Sequence, residues 1–218
     1  MKMLLISLLI IVAVGALAWA LGPRYTITQP PRSLPGLPSD LDAYLAESEA
    51  GIEELKPEVR KEIIWANPDR KPTDFSIVYL HGFSSSRKEV SPLVESLAEH
   101  LGANVFFTRL AGHGSMSGEL MATVERHDWM QDALEAVAIG DRIGDRLILI
   151  GTSHGGLLAT WAATLETTPT PAALVLISPN FGPSDPRSEW LTLPWARQLL
   201  PLALGSHREW EPQNSGHA

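Results

Sequence analysis

From Glu62 onward the chain alternates two hydrophobic rhythms. Short apolar runs bounded by turn residues recur at Glu62–Trp65, Phe75–Leu80, Asn104–Thr108, Ile148–Ile150 and Ala173–Ser178. Runs of this length and composition predict strands. Between them the apolar positions space out to three and four. Val94, Leu97, Ala98 and Leu101 form one such face, and Leu157, Leu158, Trp161, Ala162 and Leu165 another. Over His127–Ile139, Trp129, Met130, Ala133, Leu134 and Val137 oppose Asp128, Gln131, Asp132 and Glu135, the stripe of an amphipathic helix. Ser91-Pro92 predicts an N-cap with proline at the first helical position, and Gly102 predicts the stop. Strands alternating with helices over 60–178 call for an α/β fold: a mostly parallel sheet with helices on both faces.

The rhythm fails at both ends. Met3 to Leu21 is a run of 19 uncharged residues between Lys2 and Arg24, long enough to span a bilayer core of about 30 Å. This predicts an N-terminal transmembrane helix over residues 1–21. A cleavable signal peptide, with Ala16-Leu-Ala18 or Ala18-Trp-Ala20 as its cleavage site, is the alternative. Trp19 and Tyr25 suit a membrane interface. Residues 22–39 hold five prolines and predict an extended tether. The folded core then covers 40–180, opening with a helix at Leu41, Tyr44 and Leu45 behind Ser39-Asp40. In 181–218 the segment from Trp190 to Leu202 is apolar and broken by Pro194 and Pro201, either a lid or a packing element. A polar tail closes the chain.

Composition changes this picture only by exclusion. The net charge of −8 argues against a nucleic-acid partner, which would need a basic face. The absence of cysteine excludes disulfide scaffolds, thiolate metal sites and cysteine nucleophiles. Seven histidines show no metal-ligand spacing, so no metal and no cofactor is expected.

One stretch carries chemistry. The strand ending at Ile150 runs straight into Gly151-Thr-Ser153-His-Gly155 and then into a helix. Strand, Gly-x-Ser-x-Gly, helix is the nucleophile-elbow arrangement, in which a sharp turn lifts the serine clear of the sheet. The turn brings positions two before and two after the serine together, so Gly151 and Gly155 must be small. The first helical turn also offers unpaired N–H groups to a developing negative charge.

His81-Gly82-Phe83 follows one strand, Gly112-His113-Gly114 the next, and the elbow a third. In this order they resemble the serine esterases and lipases of the α/β-hydrolase superfamily, the monoacylglycerol-lipase and lysophospholipase-like members in particular. The resemblance covers about 40–180. It implies Ser153 as nucleophile, activated by a histidine base, with the backbone N–H groups of Phe83 and His154 as oxyanion donors. It further implies that His81 orients the oxyanion loop and that His113 is structural.

The superfamily places its acid and histidine in loops after two later strands. Here no strand pattern follows Ser178. Beyond the elbow only Asp185, His207 and His217 are Asp or His, and they are the acid and base candidates of this chain. The alternative is an incomplete fold whose acid and base lie beyond Ala218. The resemblance implies carboxylic-ester hydrolysis on a small acyl ester or lipid, with the membrane as a second partner through the N-terminal helix. The body would be exported, either membrane-anchored or secreted. Other acyl hydrolases (thioesterase, peptidase, carbon–carbon bond hydrolase) would use the same elbow. A non-catalytic, membrane-tethered binding protein of this fold is the reading from another class. Epoxide and haloalkane hydrolases would carry aspartate in place of Ser153.

Overall fold

The computed structural model describes residues 2–23, 31–115, 119–182 and 184–204. Tyr25, His207 and His217 lie outside the described residues. The elements are α1 (Lys2–Leu21), α2 (Leu41–Glu49), β1 (Glu62–Ile64), β2 (Thr73–Leu80), α3 (Leu93–Leu101), β3 (Asn104–Phe107), α4 (Glu119–Thr123), α5 (Arg126–Ile143), β4 (Gly144–Thr152), α6 (His154–Ala163), β5 (Ala173–Ile177) and α7 (Ala196–Leu204). They divide into two units, one within Thr28–Gly182 and one combining α1 with the segment after Gly182.

In the larger unit the strands lie in the order β1-β3-β2-β4-β5. β3, β2, β4 and β5 are parallel, and β1 joins β3 antiparallel. Alternation along each strand builds two cores. Val78, Leu80, Phe106, Leu147 and Leu149 face α2, α5 and α6. Ile77, Tyr79, Val105, Phe107, Ile148 and Ile150 face α3. Helices therefore cover both faces, as the alternation of rhythms requires.

The helix ends have local causes. The Asp40 carboxylate accepts the Ala43 N–H at 3.0 Å and starts α2. α3 begins at Leu93, one residue later than Ser91-Pro92 predicts, because Pro92 itself occupies the N-cap. Gly102 ends it in the left-handed region at φ 60°, as a helix stop should. α5 opens on a reciprocal pair in which Glu125 and Asp128 each accept the other's backbone N–H. It runs a full turn past the predicted end at Ile139, because Ile143 is still buried. Gly144 then turns the chain into β4, where a Cβ would sit 2.5 Å from the Ser76 nitrogen. β2 likewise begins at Thr73, two residues before the predicted run at Phe75.

A buried ionic network ties the loop after β3 to α2, β1 and α5. Arg109 pairs with Glu49 at 2.8 Å and donates to the His113 carbonyl at 3.0 Å. Lys61 pairs with Glu135 at 2.5 Å and Asp132 at 3.5 Å. Asp132 accepts the Ala111 N–H at 2.6 Å, and Tyr44 donates to Glu135 at 2.6 Å. Burial alone would lower the Lys61 pKa, but the two carboxylates outweigh it and hold it above the ordinary value. Burial raises the Asp132 carboxyl, against the pull of Lys61.

In the smaller unit the Trp195 indole donates to the Ala18 carbonyl at 2.8 Å, and Gly22 fits because a Cβ would meet Pro194 at 2.5 Å. α7 runs through Pro201, where a break was expected, forgoing one backbone bond. The predicted transmembrane helix is not supported: among the described residues no helix is long and apolar enough to cross a membrane.

Glu49→Ala leaves the Arg109 guanidinium buried without its carboxylate. It should lower stability by about 3–5 kcal/mol, measured by chemical denaturation. A loss below about 1 kcal/mol would show that the backbone carbonyls alone satisfy Arg109.

Candidate active site

The chain places β3 on one side of β2 and then crosses back to place β4 on the other. Where strand order reverses in a parallel sheet, the loops at the carboxyl ends diverge and leave a crevice. The loops after β2 and β4 meet at that crevice, and they carry His81-Gly82-Phe83 and Ser153.

Ser153 stands between β4 and α6 at φ 49°, ψ −113°, a conformation that costs a non-glycine residue of order 1–3 kcal/mol. Its surroundings hold it there. The Ser153 N–H donates to the Ile177 carbonyl at 2.9 Å, and its carbonyl accepts from Asn180 at 3.0 Å and Leu157 at 3.2 Å. Its side chain makes no capping bond to α6, so the hydroxyl is not spent on structure. Both flanking glycines are required by close approach. A Cβ on Gly151 would lie 2.5 Å from the Gly155 carbonyl oxygen; one on Gly155 would lie 2.1 Å from the Leu80 carbonyl oxygen. The second contact goes beyond the elbow itself, because it seats α6 on the end of β2.

Gly82 faces the serine: a Cβ there would sit 3.4 Å from Ser153 Cβ. His81 Nε2 accepts the Leu110 N–H at 3.0 Å. That bond leaves the ring proton on Nδ1, which donates to the Gly82 carbonyl at 2.8 Å. This bond holds the peptide plane that carries the Phe83 N–H. One residue further, His113 Nε2 accepts the Ser84 N–H at 3.0 Å, and Nδ1 faces the Ala111 carbonyl at 3.1 Å. Both rings thus cross-link the loops after β2 and β3.

His154 packs its ring against Trp129 with centroids 4.7 Å apart, and its Nε2 is buried with no hydrogen-bond partner among the described residues. Phe83 stands 54% exposed, edge-on to His113 and Trp129. Trp129 is fixed by donating to the Ala111 carbonyl at 2.9 Å. Phe83, Trp129 and His154 make an aromatic wall beside the serine.

Burial is the first cause of the low basicity of all three histidines. His81 is pushed down to about 3, its neighbours His113, Arg109 and His154 adding to the effect and its bond to Gly82 opposing it. His113 and His154 move the same way. All three are neutral at pH 7, and the two that hydrogen-bond do so to backbone groups.

The acid and base candidates divide. Asp185 is exposed and belongs to the other unit, while His207 and His217 lie outside the described residues. Among the described residues no cluster of three or more His, Asp or Glu side chains could hold a metal ion. Sequence periodicity missed Trp129 as a site residue, placing it only on a buried helical face. It also missed Tyr79, Thr152 and Glu89. Glu89 Oε1 accepts from Tyr79 Oη and from the Gly82 N–H, both at 2.6 Å, and Tyr79 Oη lies 2.8 Å from Thr152 Oγ1.

Two outcomes follow from this packing. Gly155→Ala should cost about 3 kcal/mol or more, or abolish soluble expression, whereas Gly36→Ala, with nothing within 4 Å, should stay within about 0.5 kcal/mol. The histidines add a pH effect. A site that binds a proton only when unfolded destabilises the fold as pH falls from 6.5 toward its depressed folded value. Each such site contributes up to about 1.4 kcal/mol per pH unit. His81→Gln should therefore flatten the loss of stability between pH 6.5 and 4 by about one proton's worth, read from denaturation curves at each pH. Parallel curves would show that His81 takes up no proton on unfolding.

Comparison with known proteins agrees with this geometry. A family model described as serine aminopeptidase, S33 (Hydrolase_4) matches residues 71–217, well over half of the chain. No curated protein matches the sequence. Among solved structures, one from work on the metagenome-derived lipolytic enzymes LipS and LipT shares 26% identity at a TM-score of 0.52, over 63% of this chain and 52% of that one. An α/β hydrolase from Novosphingobium aromaticivorans shares 26% identity at a TM-score of 0.36, over 58% and 45%. Est1E from Butyrivibrio proteoclasticus, with ferulic acid bound, shares 22% at 0.44, over 55% and 48%. The chain spans about half the length of these structures. With the family model covering both the loop after β2 and the turn at Ser153, the chain belongs to the serine aminopeptidase S33 family of α/β hydrolases, a family of enzymes.

Proposed function

We propose that Ser153 is the nucleophile of an acyl-serine hydrolase acting on carboxylic esters. The observation that carries this is the serine's backbone. A non-glycine residue is held at φ 49° between β4 and α6, with its side chain uncommitted and the oxyanion loop against it. In the reaction, Ser153 Oγ attacks the carbonyl carbon while a base takes its proton. The carbonyl π electrons move onto oxygen, and the Phe83 and His154 N–H groups hold that oxyanion. Collapse expels the protonated alcohol and leaves the acyl-serine, which water then cleaves by the same route. Loss of one oxyanion donor typically costs about 10²–10³ in rate.

The base is not one of the three histidines beside the serine. His81 and His113 spend both ring nitrogens on backbone groups, and His154 is turned onto Trp129. Asp185, His207 and His217, or groups beyond Ala218, are left to supply acid and base. The aromatic wall favours an apolar acyl or alcohol group, in keeping with the lipolytic function of the structural relative at 26% identity. The serine aminopeptidase description of the family favours a second reading, cleavage of an aminoacyl amide by the same serine. The proposed setting is an exported body with apolar α1 against a membrane or removed as a signal. The support is the exposure of apolar side chains all along α1.

A fluorophosphonate probe should label Ser153, and Ser153→Ala should abolish the label, as read by peptide mass spectrometry. Short-chain acyl esters compared with aminoacyl amides then separate the two substrate readings. Absence of label at Ser153, both in this chain and in one extended to supply acid and base, would leave the non-catalytic binding protein as the correct reading.

A further inference from the structure

We propose that Glu89 is a positioning residue that sets the oxyanion loop for Ser153; this rests on reading Ser153 as the nucleophile. Glu89 lies in the short 3-10 turn Arg87–Val90, away from the elbow in sequence. Its Oε1 receives two short bonds, from the Gly82 N–H and from the Tyr79 hydroxyl, both at 2.6 Å. A carboxylate only accepts, so Tyr79 donates to Glu89. Tyr79 Oη is then left to accept from the Thr152 hydroxyl at 2.8 Å. A directed chain results: Thr152 to Tyr79 to Glu89, with Gly82 donating from the other side. It links the residue before the nucleophile to the residue before the oxyanion donor. Burial, and then Glu89, raise the Tyr79 phenol well above its ordinary value, so it stays a donor at any working pH.

The geometry explains why Gly82 needs the anchor. Gly82 has no side chain to restrict it, and its two torsions alone connect its own N–H to the peptide that presents the Phe83 N–H. His81 Nδ1 holds the carbonyl side of that second peptide. Glu89 holds the N–H of the first. With both planes fixed, the direction of the Phe83 N–H is fixed too. A side chain at Gly82 would meet both the Glu89 carboxylate, at 3.2 Å, and Ser153 Cβ, at 3.4 Å, so the glycine is squeezed between its anchor and the serine. A negative charge here opposes the oxyanion rather than helping it. The role left for Glu89 is geometric: one acceptor oxygen holds two donors, the Gly82 N–H and the Tyr79 hydroxyl.

Positioning and charge predict different variants. Glu89→Gln keeps an acceptor oxygen and removes the charge; Glu89→Ala removes both. Glu89 is exposed, so neither change opens the core. In the full 218-residue chain, two quantities are measured: the second-order rate of fluorophosphonate labelling at Ser153, and amide hydrogen exchange at Gly82 by NMR. Glu89→Ala should slow labelling by about 10–100-fold, the scale of a misplaced catalytic group, and speed Gly82 exchange at least about tenfold. Glu89→Gln should stay within about threefold of the wild type in both, with the thermal midpoint of each variant little changed. Unaltered exchange and labelling in Glu89→Ala would overturn the proposal. So would a Gln variant as damaged as the Ala variant, since that would make the charge the functional property. If the wild type is labelled neither in this chain nor in one extended to supply acid and base, the nucleophile reading fails on its own. Gly82 exchange then decides the clamp: faster exchange in Glu89→Ala upholds it, and unchanged exchange overturns it.

Discussion

The contact on which the site depends is the approach of α6 to the end of β2, where the Gly155 α-carbon sits against the Leu80 and His81 carbonyls. No side chain fits between them. That closeness forces the chain to leave β4 through a single strained residue, and Ser153 takes the strain at φ 49°. Because β2 and β4 are paired in register, Tyr79 with Ile150 and Leu80 with Gly151, the loop leaving β2 must emerge beside the serine. The turn at Ser153 and the loop after β2 are thus one packing event. Neither could keep its geometry if a methyl group separated α6 from β2.

Around this contact the titratable groups are used as scaffolding. His81 and His113 are buried, neutral and bonded through both ring nitrogens to backbone groups of two loops. A protonated ring at His81 would lose the acceptor that holds the Leu110 N–H. The ionic network of Glu49, Arg109, Lys61, Asp132 and Glu135 fixes the far side of the loop after β3, and through it the position of His113. The loops that shape the site are therefore held by polar bonds inside a low-dielectric region, where each bond is strong when made and costly when broken. Such a frame spends both ring nitrogens of His81 and His113 on backbone groups.

Much of this was legible in the sequence, and for identifiable reasons. Parallel strands buried on both faces leave apolar runs, so β2 to β5 stood out. The elbow has a steric signature in Gly151 and Gly155 that no tertiary knowledge is needed to see. The boundaries that moved did so where packing overrode local signals. Ile143 is buried and extends α5 by a turn, and Gly144 is squeezed onto Ser76 and opens β4 earlier. What was not legible were contacts between residues far apart in sequence. Glu49 and Arg109 look like ordinary surface charges until α2 is laid beside the loop after β3. Trp129 belongs to a helical stripe whichever way that stripe faces. Glu89 has no spacing or partner in the sequence that marks it, and only the fold brings it to Gly82. The apolar leader shows the opposite failure. Its composition announces a span, yet among the described residues no helix is long and apolar enough to cross a membrane.

The serine's anchoring also has a weak side, and it lies at β5. One backbone bond of Ser153 goes to Ile177, the last residue of that strand, and another comes from Asn180 just beyond it. Among the described residues β5 is the edge of the sheet, and its Leu174 and Val175 are 37% and 40% exposed. Edge strands present unpaired backbone groups and open more readily than central ones. Ser153 is therefore packed tightly on the β2 side and tied to the sheet edge on the β5 side. Fraying at Ile177 would release the Ser153 N–H and ease the strain at φ 49°, letting the hydroxyl turn away from Gly82. Any segment or partner that pairs with β5 would oppose that release. Order at the sheet edge and the backbone geometry of Ser153 are in this way one property of the fold.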